Sequence, residues 1–109
     1  MTVTAKCLLE AKYAENAQTT QYAAPAGTRT IVDKFTGYSL AGGTLAVALV
    51  PAAGAAGASN AHVSKTLAAG ETYTFPEVVG QILNAGDFIS TLAGAASSVV
   101  IRISGREVS

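Results

Sequence analysis

Histidine, cysteine and tryptophan are nearly absent from this sequence. Its 109 residues include one histidine, His62, one cysteine, Cys7, and no tryptophan. A zinc site needs clustered cysteine or histidine ligands, and a calcium loop needs closely spaced carboxylates. A nucleophile–base pair would need His62 beside Cys7 or a serine, together with a third group that orients the ring. We therefore expect no catalytic residue, no metal site and no cofactor, and we expect that the protein is not an enzyme.

Two weaker candidates for chemistry involve carboxylates. The segment Asn84-Ala85-Gly86-Asp87 has metal-ligand residue types, but these are also the residues that a turn requires. Glu71, Glu77 and Asp87 could converge in space, as the carboxylates of glycoside hydrolases do. Carbohydrate sites usually also present aromatic side chains to the sugar, and the chain has no tryptophan. The turn interpretation is therefore favoured for 84–87, and a small hydrolase is the weakest of the functions considered.

Charge is scarce and balanced. Charged residues make up 13% of the chain, and seven basic residues match seven acidic ones, so the formal net charge is zero. Nucleic-acid binding depends on a surplus of lysine and arginine that displaces counterions from phosphates, and the basic residues here are scattered. We expect no nucleic-acid partner. Half of the residues are hydrophobic, and a neutral, apolar protein has little charge repulsion to keep its copies apart. The composition favours assembly with other protein copies.

The sequence has no long hydrophobic run. Nothing approaches the roughly 20 consecutive apolar residues that cross a bilayer, because Gly, Pro, Ser or Thr interrupts each apolar stretch. Val3 to Leu9 contains Lys6 and is too short for the core of a signal peptide. We therefore expect no membrane contact, and synthesis in a cytoplasm.

What the sequence does contain is a series of short strand patterns separated by turns. Leu45, Val47 and Leu49 alternate with small residues. Val99, Ile101 and Ile103 alternate in the same way with polar or smaller residues. An alternation with a period of two residues is typical of a half-buried strand. Ala-Gly turns separate such runs. The pattern predicts one all-β domain over residues 1–109, an antiparallel β-sandwich or jelly roll of about eight short strands. The predicted strands are 3–9, 18–23, 28–40, 45–49, 62–67, 72–75, 88–93 and 99–104.

Three segments, 76–83, 52–59 and 1–15, have patterns that differ from the alternation of the other predicted strands. In 76–83, Val79, Ile82 and Leu83 follow Pro76 at helical spacing, which predicts one short helical turn. Residues 52–59 are only Ala, Gly and Ser, which predicts a flexible surface loop. Residues 1–15 are interpreted as an N-terminal strand or as an arm that reaches a partner.

Tyrosines are the candidate interface residues. A tyrosine offers a large contact area and a polar tip at low entropic cost. We therefore predict that Tyr13, Tyr22, Tyr38 and Tyr73 contact partners, the alternative being that one or two of them line the core. His62 is expected at the surface or on an edge strand, and Cys7 as a small buried apolar residue.

The order of the strand-and-turn motifs carries a resemblance. The motifs are Gln21–Thr28, Leu49–Pro51, Leu67–Tyr73, Leu83–Ile89 and Ile103–Glu107. From about residue 18 to residue 109, this order resembles small β-sandwich proteins encoded among the virion structural genes of tailed bacteriophages. The chain departs from that pattern at Phe35–Tyr38, where a short turn containing asparagine is expected.

The resemblance implies a structural role on a virus particle and no catalytic residues. The interpretation is a capsid decoration protein, made in the host cytoplasm and located in the virion. It would bind a major capsid or tail protein as a homo-oligomer, for example a trimer. The alternatives are a tail, fibre or head–tail accessory domain, and a receptor- or carbohydrate-binding module.

Overall fold

The structure, a computed structural model, describes residues 2–57 and 61–109. Over these residues the chain forms nine strands and no helix, so no helix is present that could span a membrane. The strands are β1 (Val3–Tyr13), β2 (Thr19–Ala23), β3 (Arg29–Ser39), β4 (Gly43–Val50), β5 (Ala61–Leu67), β6 (Glu71–Tyr73), β7 (Ile82–Leu83), β8 (Phe88–Ala93) and β9 (Val100–Val108).

The strands form two antiparallel sheets. The first has the order β1-β9-β3-β6, with β7 also paired to β3, and the second has the order β2-β8-β4-β5. The pairs are nested along the chain: β4 pairs with β5, β3 with β6 and β7, β2 with β8, and β1 with β9. A ribbon of nested antiparallel pairs divided between two facing sheets is a jelly roll. The predicted all-β sandwich is confirmed, and this strand order places it in the jelly-roll group.

The core lies between the two sheets and is made by the inward-facing half of each alternating strand. Phe35 on β3 and Ile103 on β9 are fully buried, as are Leu45 and Val47 on β4 in the other sheet. Phe35 also meets Phe75 edge to face, with ring centroids 5.0 Å apart. Burial of each such side chain contributes about 1.5–3 kcal/mol. The predicted inward faces of the strands at 45–49 and 99–104 are therefore the ones that hold the sheets together.

The helical turn predicted near 76–83 is replaced by a run of turns and a short strand. The N–H groups of Val78 and Val79 both donate to the Phe75 carbonyl, at 3.0 and 3.4 Å, but Gly80 then takes a φ of 86°. The Gly80 N–H donates to the carbonyl of Val32 at 2.6 Å, and Ile82–Leu83 then pair with β3 as β7. Pairing with a neighbouring strand offers these backbone groups partners that an isolated turn of helix lacks, so the local helical spacing does not decide the structure.

The predicted flexible loop at 52–59 is only partly described, because residues 58 and 59 lie outside the described ranges. Within 52–57, the N–H of Ala52 donates to Asp87 Oδ1 at 3.1 Å, and the N–H of Gly54 donates to the Pro51 carbonyl at 2.8 Å. The first half of the segment is thus tied to the 84–87 turn.

Gly105 permits a close approach in the centre of the first sheet. It lies on β9 between β1 and β3, opposite Lys6 on one side and Val32 on the other. A Cβ atom there would meet the backbone oxygen of Ile31 closer than the 3.0 Å below which Cβ contacts essentially never occur. It would also meet Leu8 Cδ1 at 3.0 Å. The bulge in β3 at Asp33 and the packing of Leu8 therefore both depend on glycine at this position.

We expect Gly105→Ala to lower the free energy of unfolding by about 1–3 kcal/mol, because the backbone of β3 must move away from the added methyl group. Chemical denaturation followed by circular dichroism measures the change. Gly57→Ala is the matched control, since a Cβ at Gly57 would meet no atom of the described residues within 4 Å. Equal stability of the two variants would contradict the close approach.

Candidate functional site

Strand β1 forms one edge of the first sheet and is mostly uncovered. Its only strand partner in the described structure is β9, and of its eleven residues only Leu8 is buried, at 8% exposure. Most of the others are apolar but half-buried or exposed. The free edge of such a strand carries N–H and C=O groups that can pair with another chain. β1 therefore has unused capacity for contact with another chain.

Beside β1, an exposed apolar row crosses the outer face of the first sheet. Val100 of β9 lies between Tyr13 of β1 and Tyr38 of β3, as its direct register partner in both strands. Residues opposite each other in an antiparallel sheet have their side chains on the same face, about 4.5–5.5 Å apart at Cβ. Tyr13 is 54% exposed, and Leu40, just beyond the end of β3, is 75% exposed. Large apolar side chains are thus concentrated at this end of the sheet.

These side chains line a depression of about 260 Å³. We call its lining the tyrosine patch: Tyr13, Tyr38, Leu40, Ala41, Ser97, Ser98 and Val100. No member is charged, so a partner can remove water from it without separating ion pairs from solvent. Within the described residues, neither tyrosine hydroxyl has a hydrogen-bond partner, so both remain free to bond to a partner molecule.

Ser97 and Ser98 form one wall of the tyrosine patch, and hydrogen bonds hold this wall in place. The buried Ser39 hydroxyl donates to the Ser98 carbonyl at 2.7 Å, and the Ser98 hydroxyl donates to the Ala95 carbonyl at 2.6 Å. Ser97, which directly precedes Ser98 in the chain, has a φ of 55°, which is uncommon for a residue other than glycine. A wall that is already ordered loses little conformational freedom when a partner binds.

Tyr22, predicted as an interface residue, lies in a polar cluster at one end of the sandwich. Its hydroxyl donates to Glu107 Oε2 at 2.5 Å and lies 2.8 Å from Oγ1 of the fully buried Thr30. Burial, and then the hydrogen bond to Glu107, raise the pKa of Tyr22 to about 12. Lys6 approaches the same carboxylate at 3.3 Å. This tyrosine therefore links the second sheet, through β2, to β3 and β9 of the first.

Tyr73 is likewise engaged within its own chain. Its hydroxyl donates to the Glu77 carboxylate at 3.1 Å, its ring meets Phe75 edge to face at 4.8 Å, and Lys65 lies 4.8 Å above the ring. The structure thus brings Tyr13 and Tyr38 together on the surface, and it places Tyr22 and Tyr73 elsewhere. Leu40 and Val100 were not among the predicted residues, although the alternation of β9 already indicates that Val100 faces away from Ile101.

The remaining candidates from the sequence have structural partners. Cys7 is half-buried rather than part of the core, with Sγ 3.7 Å from the Ile103 carbonyl. His62 lies exposed on the edge strand β5, and its Nε2 donates to the Glu77 carbonyl at 2.8 Å. Asp87 accepts the Asn84 N–H at 3.0 Å and thereby closes its own turn. Among the described residues, no three His, Cys, Asp or Glu side chains converge as metal ligands would.

No protein-family model, curated protein or solved structure matches the chain. The function is therefore inferred from the arrangement of the chain's own residues.

The cluster around Glu107 predicts an acid dependence of stability. The hydrogen bond from Tyr22, and then that from Lys6, hold the pKa of Glu107 below its usual value of 4.5 in the folded protein. A carboxylate with a lowered folded-state pKa stabilises the fold above its unfolded pKa, and this contribution is lost as the pH falls through the folded-state value. We expect the free energy of unfolding to depend less on pH below about 4.5 in Glu107→Gln than in the parent protein.

Urea denaturation at a series of acidic pH values measures this dependence. Tyr22→Phe, which removes the donor, should also weaken it. Glu10→Gln controls for the loss of one carboxylate, because Glu10 is exposed and has no ion pair within the described residues. A Glu107→Gln variant with the parent's full acid dependence would show that the cluster does not contribute.

Proposed function

We propose that the protein is a non-enzymatic structural protein of a tailed-bacteriophage virion, where it decorates the capsid as a homo-oligomer. The tyrosine patch is the observation that carries the proposal of a protein contact, because it is an uncharged apolar surface with two exposed tyrosines and an ordered wall. The choice of a phage particle rests on the resemblance of the motif order. The jelly roll is a fold found in viral capsid proteins, among other classes, and so agrees with that choice.

The size of the tyrosine patch indicates a modest contact per copy. A tyrosine buries about 150–250 Å² when it is fully covered. A stable protein interface of standard size buries about 800 Å² on each partner. Tyr13 and Tyr38 would therefore form the centre of an interface and not the whole of it. A symmetric particle repeats the same contact many times, and an oligomer that engages several sites at once binds much more tightly than one copy.

The charge balance predicts the character of the contact. With a formal net charge of zero and an uncharged patch, binding should derive from burial of apolar area rather than from electrostatic attraction. Such a contact changes little when salt screens surface charges.

The decisive experiment is fractionation of particles produced from the genome that encodes the chain. Heads and tails are separated on a density gradient, and mass spectrometry measures the chain in each fraction. Recovery with heads, at a fixed ratio to the major capsid protein, supports decoration. Recovery with tails supports the tail, fibre or head–tail alternative. Absence of the chain from particles, despite its presence in infected cells, overturns the virion role.

One observation also favours the carbohydrate-binding alternative. Tyr13 and Tyr38 lie on one face within the same depression, and exposed aromatic rings are the surfaces on which sugars stack. A glycan array probed with the purified protein tests this function. Binding of a glycan that is lost in Tyr38→Thr would favour a receptor-binding module over decoration.

For the decoration role, we expect the double variant Tyr13→Thr, Tyr38→Thr to bind particles assembled without the chain at least about tenfold more weakly than the parent protein. Truncating central aromatic residues of an interface commonly costs more than about 1 kcal/mol each. Threonine preserves the strand preference at both positions. Co-sedimentation over a concentration series measures the affinity.

The matched control is Ile82→Thr, which removes an equally prominent apolar side chain, 58% exposed, from β7. Thermal melting should show that all variants fold. Equal weakening of binding in the control and the double variant would indicate that the tyrosine patch has no special role.

A further inference from the structure

The outer face of the first sheet carries a group of basic side chains. On β9, Arg102 and Arg106 alternate with buried residues and therefore point outward. On β3, Lys34 and Arg29 are register partners of outward-facing β9 residues, so they share this face. Four of the seven basic residues of the chain thus project from one face of one sheet, although the chain as a whole is neutral.

Most of these cations have no charged partner. Arg106 donates to both carboxylate oxygens of Asp33, at 3.0 to 3.2 Å. Within the described residues, three basic side chains have neither an ion pair nor a hydrogen bond: Arg29, Lys34 and Arg102. Each of the three basic residues elsewhere in the chain pairs with a carboxylate of the same chain. The unpaired cations of the described structure are therefore all on the outer face of the first sheet.

Arg102 connects this basic face with the tyrosine patch. It lies two residues after Val100 on the outer side of β9, diagonal to both Tyr38 and Lys34 of β3. Diagonal neighbours in an antiparallel sheet lie about 7–8 Å apart, within reach of long side chains. The two tyrosines supply less than the area of a stable interface, so a partner seated on the patch must also cover neighbouring surface. Arg102 and Lys34 are then the polar rim of the same interface.

We propose that the outer face of the first sheet docks on an acidic protein surface, whose carboxylates bind Arg102 and Lys34 while its apolar part covers the tyrosine patch. Arginine and lysine side chains offer only hydrogen-bond donors. An apolar partner would remove their water without replacing its hydrogen bonds, which costs free energy. Carboxylates accept these donors and carry the opposite charge. The inference rests on the proposed function, because it names the chemistry of the particle surface that the protein would bind.

A second copy of the chain has few carboxylates to offer to this face. Ion pairs or hydrogen bonds within the chain already engage six of its seven acidic residues: Glu15, Asp33, Glu71, Glu77, Asp87 and Glu107. Among the described residues, only Glu10 is exposed without such a partner. The complementary acidic surface therefore belongs to a different protein.

The two cations act on the orientation and the rate of binding more than on its strength. Exposed ion pairs add little affinity, because water screens them and two long side chains must be ordered. Complementary charges steer the encounter and disfavour a wrong orientation. Salt should therefore lower the association rate by a small factor, and it should leave the dissociation rate, which the tyrosine patch sets, nearly unchanged.

Reversal of each charge tests the contact. Lys34→Glu and Arg102→Glu should each bind particles assembled without the chain at an association rate at least about threefold below that of the parent protein at low salt, and the difference should shrink at high salt. Biolayer interferometry on immobilised particles measures the rates. Lys65→Glu makes the same change of charge on β5 of the second sheet and should bind like the parent. Circular dichroism must show that this control is folded, since it loses its contact with Glu71.

Carbodiimide cross-linking identifies the surface that the face contacts, because this reagent joins an amine directly to a carboxylate. On particles, mass spectrometry should find Lys34 joined to an aspartate or glutamate of a particle protein. Lys34→Arg keeps the charge but has no amine, so it should bind like the parent without this cross-link. Arg102→Lys should gain a cross-link at residue 102.

Three results would overturn the acidic docking surface. The first is a parent-like association rate in both charge reversals at low salt. The second is a cross-link from Lys34 only to other copies of the chain, which would assign the face to self-assembly. The third is binding of an acidic glycan that Lys34→Glu abolishes, which would assign the face to a receptor. The first two results leave the virion role standing when the chain is recovered with particles, whereas absence of the chain from particles overturns that role and this inference together.

Discussion

The pairing of β9 with both β1 and β3 is the constraint on which the rest of the structure depends. β9 lies between them, so the last strand of the chain closes the first sheet around the first strand. This position requires glycine at residue 105, where the backbone of β3 comes too close for any side chain. It also places Val100 between Tyr13 and Tyr38. The central ladder thus determines both the fold and the exposed apolar row.

Closure by β9 moves the open edge of the sheet to β1. β9 has a hydrogen-bonded strand on each side, whereas β1 keeps one side without a partner in the described structure. Seven of the eleven residues of β1 are apolar, and most of them are not buried. The second sheet covers little of β1 beyond Leu8, because only that side chain is buried. The apolar residues of this strand are therefore mostly surface that is available for assembly.

Polar groups are arranged differently at the two ends of the first sheet. Near the C-terminal end of β9, Tyr22, Thr30 and Glu107 satisfy one another between the sheets, and such a network stabilises only when each member has its partner. At the other end the hydroxyls of Tyr13 and Tyr38 have no partners in the described structure. Tyrosine thus has a structural role at one end of the sheet, where Tyr22 is partly buried, and is free for contact at the other end, where Tyr13 and Tyr38 are exposed.

The sequence by itself determined the all-β class, most strand positions and the inward faces of β4 and β9, because alternation of apolar residues is a local signal. It predicted a shorter β1, since Glu10 to Tyr13 have a mixed and partly polar pattern. It also predicted a helical turn over 76–83, where the chain forms turns up to Gly80 and then the short strand β7 beside β3. Only the tertiary structure decided which tyrosines meet, because Tyr13, Tyr38 and Val100 are far apart in the chain and are aligned by the registers of β1 and β3 against β9. Register depends on packing and on a close backbone approach, which no local pattern specifies.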